Sequence, residues 1–517
     1  MKSMLTVGLA GALIMSAAAH AEDKRYIVQF KSGKSPAIQS DIKSKQGKVH
    51  FKLKHRDMMA ATLSESAKLA LEKNPNVQFI EEDVKRYPMS TQEVPYGIPM
   101  VQAELLSDGS ASTRIVCIID SGYDLAHEDL SSNVVSGTND PGTGNWYEDQ
   151  NHHGTHVAGT IAAVNNGVGV VGVMPNGNIN LHIIKVFDAE GWAYSSSLVA
   201  ALDACEAAGA NVINMSLGGT QKSRSEQVAF AAAYDRGVLS IAAAGNDGNT
   251  RHSYPASYDS VVSVAAIDSD KVVADFSQQT SQVELAAPGV GVLSSVPMGS
   301  GTVSSVTVSN APYESAGMDG SPLLAATGAL VDCGLGDATC NAQGQVCLIS
   351  RGSISFSDKV LACEAGGGVG AIIYNNEPGM LYGTLGGVET AIPSVGVTDT
   401  DGAVLLTLLG QNASISLGPS NYAYFDGTSM ATPHVAGVAA LVWSEHLDCS
   451  APQIRAVLAA TAEDLGDMGR DNAYGFGLIQ AKAASDFITA NGCDGASGGG
   501  DTGGEKPCRG GPKQCPR

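Results

Sequence analysis

The chain has 517 residues, more than one typical domain holds, with 44% hydrophobic and 5% aromatic residues and 61 Gly, a composition of packed domains rather than of disorder. Its net charge is −21, and the sign is divided: residues 22–90 carry 14 Lys and Arg against 9 Asp and Glu, residues 91–517 carry 16 against 43. So acidic a body argues against nucleic acid and anionic membranes as partners, while the basic early segment suits a removable partner of the acidic remainder.

In chain order, residues 1–21 read as a secretory signal peptide. Lys2 supplies the positive start, residues 4–15 the apolar stretch and Ala19-His20-Ala21 the small-x-small cleavage site. The expected protein is therefore secreted and extracellular, with no membrane association after cleavage. Residues 26–30 and 77–83 read as strands and 64–73 as a helix. From Thr113 apolar β-branched runs at 114–119, 180–186, 211–215, 238–244 and 261–267 alternate with Ala-rich amphipathic stretches at 195–209, 226–236 and 429–446. That alternation predicts an α/β fold, a doubly wound, mostly parallel sheet flanked by helices. Active sites of such sheets gather at the carboxyl ends of strands, and Asp120 ends the first run. The pattern breaks near Pro297 and resumes near Tyr422. Between them lie β-rich segments at 346–350, 371–374 and 392–397. After residue 493 the chain turns Gly-rich and reads as a linker with a small Cys-containing tail.

All ten cysteines follow residue 116, and an even count in an exported chain suggests disulfides. Local spacing favours pairs among Cys333, Cys340, Cys347 and Cys363, then Cys449 with Cys493 and Cys508 with Cys515. Cys117 and Cys205 are either a strand-to-helix bridge or two buried thiols.

Three segments carry the chemistry: Ile118-Ile119-Asp120-Ser121-Gly122, His153-Gly154-Thr155-His156-Val157-Ala158-Gly159 and Gly427-Thr428-Ser429-Met430-Ala431-Thr432-Pro433. A serine hydroxyl is a weak nucleophile until a base takes its proton and a third group orients that base. A zinc reading of His152, His153 and His156 lacks the adjacent Glu and any thiolate. The three motifs, in the order Asp, His, Ser, resemble those of the subtilisin-like serine proteases, the subtilases.

The resemblance implies a serine endopeptidase in which Ser429 is the nucleophile, His153 the base, Asp120 its orienting acid and Asn246, in Ala242-Ala243-Ala244-Gly245-Asn246, an oxyanion-hole donor. Residues 22–90 resemble the inhibitory α+β propeptide of the family, an intramolecular chaperone cut between Ser90 and Thr91. Residues 91–298 and 421–493 are then the catalytic domain. Residues 299–420, with Leu361-Ala362-Cys363-Glu364-Ala365-Gly366-Gly367, resemble an inserted protease-associated (PA) domain, and 494–517 are linker and tail. Polypeptide substrate is expected to lie between Gly191, Trp192, Ala193 and Ser216, Leu217, Gly218, with Ala243 and Gly245 framing the first pocket. No acidic residue lies in these framing segments, so broad, uncharged specificity is expected. Trp192 departs from the small residues expected on that edge. Gln92, Asp129, Val164, Asn166, Val168 and Val170 match the family's strong calcium site, six oxygens suited to a hard cation. A structural Ca²⁺, no organic cofactor and a monomer are expected. The alternatives are a narrow processing protease of the kexin type, which wants acidic subsites, and a silent peptide-binding protein, which needs neither triad nor propeptide.

Overall fold

The computed structural model describes residues 24–53, 56–82, 92–188 and 191–496. The leader, the Ser90/Thr91 junction and the Cys508/Cys515 tail lie outside the described residues. The chain divides into two compact units, within residues 1–89 and 90–517.

The first unit is a four-stranded antiparallel sheet in the order Lys48–Leu53, Met58–Leu63, Lys24–Phe30, Val77–Glu82, with helices Ser35–Ser44 and Glu65–Glu72. Its core gathers Val28, Ile38, Ile42, Met59, Leu63 and Leu71.

The second unit is built on a seven-stranded parallel sheet. Its order is Val283–Pro288, Val261–Ile267, Leu239–Ala243, Val212–Met215, Ile115–Asp120, Asn180–Lys185, Val134–Asn139. The inner strands are buried on both faces, so they read as continuous apolar runs rather than alternating ones. Helix Thr428–Glu445 runs through the core, buried at nearly every position. Its small residues allow this: a Cβ on Gly437 would come within 2.9 Å of Val173. Because neighbouring strands are parallel, the residues that end or follow them (Asp120, Ser216 and Asn246) share one edge of the sheet.

Strands Val292–Ser295 and Tyr422–Phe425 pair as an antiparallel ribbon. Between them lies an eight-stranded mixed sheet. Strands Val346–Ser350, Gly370–Tyr374 and Ser394–Val397 of that sheet are mutually parallel. Parallel neighbours need a crossover, and helix Phe356–Ala365 supplies the first. The insert is thus β-rich but not all-β. The cysteines settle as Cys117–Cys205, Cys333–Cys340, Cys347–Cys363 and Cys449–Cys493. The first ties the central strand Ile115–Asp120 to helix Ser195–Ala207.

Candidate active site

Asp120 closes its strand fully buried. Its Oδ1 accepts the Ser121 amide at 2.7 Å and lies 2.8 Å from Nδ1 of His153. A carboxylate only accepts, so Nδ1 carries the proton and Nε2 is left with its lone pair. His153 opens helix His153–Ala162, which sits directly on the turn after Asp120. A Cβ on Gly154 would meet the Gly122 carbonyl oxygen at 2.3 Å, so the contact is backbone on backbone. The imidazole keeps 24% of its surface exposed. Burial works against its charged form, but the charge and hydrogen bond of Asp120 and the charge of Asp149 outweigh it. His153 is held above the ordinary imidazole value.

Asp149, which the sequence reading passed over, holds this helix start. Its Oδ1 accepts from Ser121 Oγ (2.8 Å) and the amides of Asn151 (3.2 Å) and His152 (3.0 Å). Its Oδ2 accepts from the amide (2.8 Å) and hydroxyl (2.7 Å) of Thr155. The signal available was an Asp just before a helix start, where free amides need an acceptor. The Ser121 hydroxyl also accepts from the Gly154 amide at 2.9 Å, so Asp149 binds the Asp120 turn to the His153 helix.

Ser429 lies in the first turn of Thr428–Glu445, where amides have no intrahelical acceptor. Its hydroxyl donates to the Ser216 carbonyl at 3.2 Å, and the Ser216 hydroxyl donates to the Ser429 carbonyl at 2.7 Å. Ser429, His153 and Asn246 line one cleft. The Asn246 Oδ1 accepts both the amide (2.9 Å) and hydroxyl (2.7 Å) of Thr428. Its Nδ2 therefore points away from Thr428. A Cβ on Gly427, whose φ is +153°, would stand 3.3 Å from that nitrogen.

His156 is locked to the ribbon. Its Nε2 donates toward the carbonyls of Val292 (2.9 Å) and Ala423 (3.1 Å), and its ring stacks on Phe425 with centroids 4.4 Å apart. Burial pushes it down to about 3, so it is neutral at working pH. His152 takes the cap position before the helix, at φ +72°.

Of the expected substrate edges, Ser216 is joined to Ser429 as above, and the Gly245 amide donates to the Thr428 hydroxyl at 3.1 Å. Leu217 and Gly218 continue from Ser216, and Ala243 ends its strand. Gly191, Trp192 and Ala193 form an exposed stretch before helix Ser195–Ala207. No described bond joins them to Ser429. Trp192 is 54% exposed and meets Tyr194 edge-on at 5.1 Å.

The expected calcium ligands also gather. The Gln92 Nε2 donates to the carbonyls of Val164 (2.9 Å) and Val170 (3.0 Å). Asp129 is fully buried and accepts from Asn166 Nδ2 (2.9 Å) and the Val170 amide (2.9 Å). The Val168 amide donates to Asn166 Oδ1 at 3.0 Å; its carbonyl has no described contact.

Residues 111–319 and 396–477 match the model of the subtilase family, and residues 326–405 that of the PA domain. The chain belongs to the subtilase family. By that membership it is a serine endopeptidase in class. Subtilisin E of Bacillus subtilis (strain 168) is 38% identical over 307 residues, 57% of this chain and 79% of its own. M-protease of Shouchella clausii (strain KSM-K16) is 30% identical over 491 residues, 91% of this subtilase and 94% of its own. The crystal structure of the psychrophilic subtilisin-like protease Apa1 from the Antarctic psychrotroph Pseudoalteromonas sp. AS-11 matches with a TM-score of 0.68 at 46% identity, covering 78% of this chain and 99% of that one. Among the described residues no helix is long and apolar enough to cross a membrane.

Proposed function

We propose that this subtilase is a secreted endopeptidase, made as a self-processed precursor, that hydrolyses peptide bonds through an acyl-enzyme on Ser429. The observation that carries this reading is the 2.8 Å contact of His153 Nδ1 with Asp120, which leaves Nε2 basic in the cleft that Ser429 also lines. With substrate bound, the Ser429 hydroxyl leaves the Ser216 carbonyl and gives its proton to Nε2 as its oxygen attacks the scissile carbonyl. Such bonds commonly tighten only in the complex with substrate. Asn246 Nδ2 and the Ser429 amide donate to the oxyanion. The imidazolium, stabilised by Asp120, returns the proton to the leaving amine; water, activated the same way, then hydrolyses the ester. Residues 22–90 act as inhibitor and chaperone until the Ser90–Thr91 bond is cut. The uncharged segments 216–218 and 243–245 support broad specificity at the residue that donates the scissile carbonyl.

A structural Ca²⁺ fits the loop at Gln92. Two carbonyls already converge on the partial positive charge of an amide nitrogen beside a fully buried carboxylate, the donor set a hard cation wants. Gln92, Asp129 and Asn166 by side chain, and Val164, Val168 and Val170 by carbonyl, would hold it. It would supply the charge that clamps the mature N-terminal segment to this loop.

A fluorophosphonate probe tests the catalytic assignment. Mass mapping is expected to find one adduct on Ser429 in the wild type and none in His153→Ala. Labelling of a different serine would refute it.

A further inference from the structure

The cleft holding His153 and Ser429 has a volume of ≈ 1370 Å³, above the range of about 300–1,000 Å³ usual for small-molecule sites. It has the size for a stretch of polymer. None of residues 191–193, 216–218 or 243–245 lies in its wall. From His153, Asn246 and Ser429 the wall runs instead to the inserted domain, at Asp319, Phe356, Tyr382 and Thr384. An extended substrate passes Ser429 once. If its acyl half follows 216–218, the half beyond the scissile bond leaves along this cleft.

The insert is seated closely there. The Tyr382 ring packs against Tyr424 at 5.2 Å, and a Cβ on Gly291 would strike it at 2.7 Å. Tyr424 belongs to the ribbon strand that leads, five residues on, to Ser429.

The wall contains Glu93, Glu128, Asp319 and Asp426 but no Lys or Arg. Among the described residues none of these four forms an ion pair. Asp426 accepts only the Gly291 amide (2.6 Å), and Asp319 accepts from the Thr384 hydroxyl at 3.1 Å. Glu128 accepts from Asn421 Nδ2 (2.9 Å) and the Tyr422 hydroxyl (3.0 Å). Glu314, next in the chain to Ser315 of the same wall, adds a further carboxylate. Carboxylates without a cationic partner and the rings of Tyr382 and Tyr424 thus line one cleft, a surface for a cationic side chain by charge and by cation–π contact.

We propose that the insert and its ribbon form the leaving-group half of the substrate site and select Lys or Arg in the residues following the scissile bond. This rests on the endopeptidase reading above and adds the substrate class. The selection belongs to that half alone, since the framing segments of the acyl half carry no acid.

The test uses internally quenched peptides with one common acyl half and Lys-Lys, Ala-Ala or Glu-Glu at the second and third residues beyond the scissile bond. A fourth peptide carries its Lys-Lys far up the acyl half, which matches the first in net charge and controls for the −21 of the whole protein. At low ionic strength kcat/KM is expected to favour leaving-side Lys-Lys over Glu-Glu by about tenfold, with the gap closing as salt is raised. The control is expected to behave like Ala-Ala. Asp319→Asn with Glu314→Gln is expected to shrink the ratio to about twofold. Should that variant not fold, the wild-type comparison with the control still decides. Equal rates for Lys-Lys and Glu-Glu, or an equally favoured control, would overturn the inference and leave the endopeptidase reading standing. Cleavage of none of the four would remove that reading and the inference with it.

Discussion

Replacing Asp149 by Asn keeps the shape of the side chain and removes its charge and half of its accepting capacity. Asp149 is only 7% exposed and accepts five hydrogen bonds, from Ser121, Asn151, His152 and twice from Thr155. An Asn whose oxygen serves one group of donors turns its own NH₂ against the other. A buried donor left without an acceptor costs about 1–3 kcal/mol. For donors that share one acceptor and do not add, the expected loss is about 3 kcal/mol. At about 2–4 °C per kcal/mol for a domain of this class, Tm should fall by about 6–12 °C. A purely structural role would stop there. The charge of Asp149 also helps raise His153. His153 acts as a base only when neutral, so kcat/KM rises with pH through its pKa. Removing the charge lowers that pKa, and the acid limb of the profile should move to lower pH. The assay is a thermal melt together with kcat/KM from about pH 5 to 9 on a peptide without ionisable side chains. A Tm drop below about 2 °C with an unmoved acid limb would refute the assignment of Asp149 as the residue that positions His153.

Asn246→Ala should lower kcat and leave KM nearly unchanged, because the lost hydrogen bond is made to the oxyanion. The expected loss of about 10²–10³ is carried over from that donor in subtilisin; a change in KM alone would contradict the assignment. Calcium removal by EDTA should lower Tm of the mature enzyme, and Asp129→Asn should abolish that difference; a melt indifferent to EDTA in the wild type would remove the metal from the account. Burial pushes His156 down to about 3 and His434 down to about 4. Both folded values lie below the unfolded imidazole value of about 6.5, so their contribution is complete above that pH and is lost as pH falls toward 4. Tm should decline across that window, more shallowly in His156→Gln; a flat Tm would count against buried neutral imidazoles.

The sequence marks strand Val261–Ile267 to the residue and Ile115–Asp120 to within one, because burial on both faces writes an uninterrupted β-branched run into it. In the first unit, Lys48–Leu53 left no such mark. It is an edge strand, mostly exposed, and its Lys-Val-His-Phe-Lys-Leu reads as surface. The crossover helix Phe356–Ala365 was hidden similarly, by a short and weakly amphipathic sequence between strands. The motifs named Asp120, His153 and Ser429 because local context makes each side chain usable. Asp149 acts across a turn on residues of two motifs, and no local pattern records that. The Cys117–Cys205 bridge depends on which face of the central strand Cys117 leaves from and which helix packs there, a tertiary fact. The wall of the leaving-group cleft is hidden for the same reason: Tyr382 meets the ribbon, and Asp319 joins the same wall, only after the insert has folded.

If Ser429 is the nucleophile of an endopeptidase that also cuts its own precursor, one substitution removes both activities. The decisive experiment is casein hydrolysis by wild type and Ser429→Ala, expressed in parallel, with the N-terminus of each sequenced. The wild type is expected to digest casein and to begin at Thr91, and the variant to remain uncut and to lose about 10⁶ in kcat, a magnitude carried over from subtilisin. A folded Ser429→Ala protein that still digests casein or still begins at Thr91 would contradict this role of Ser429.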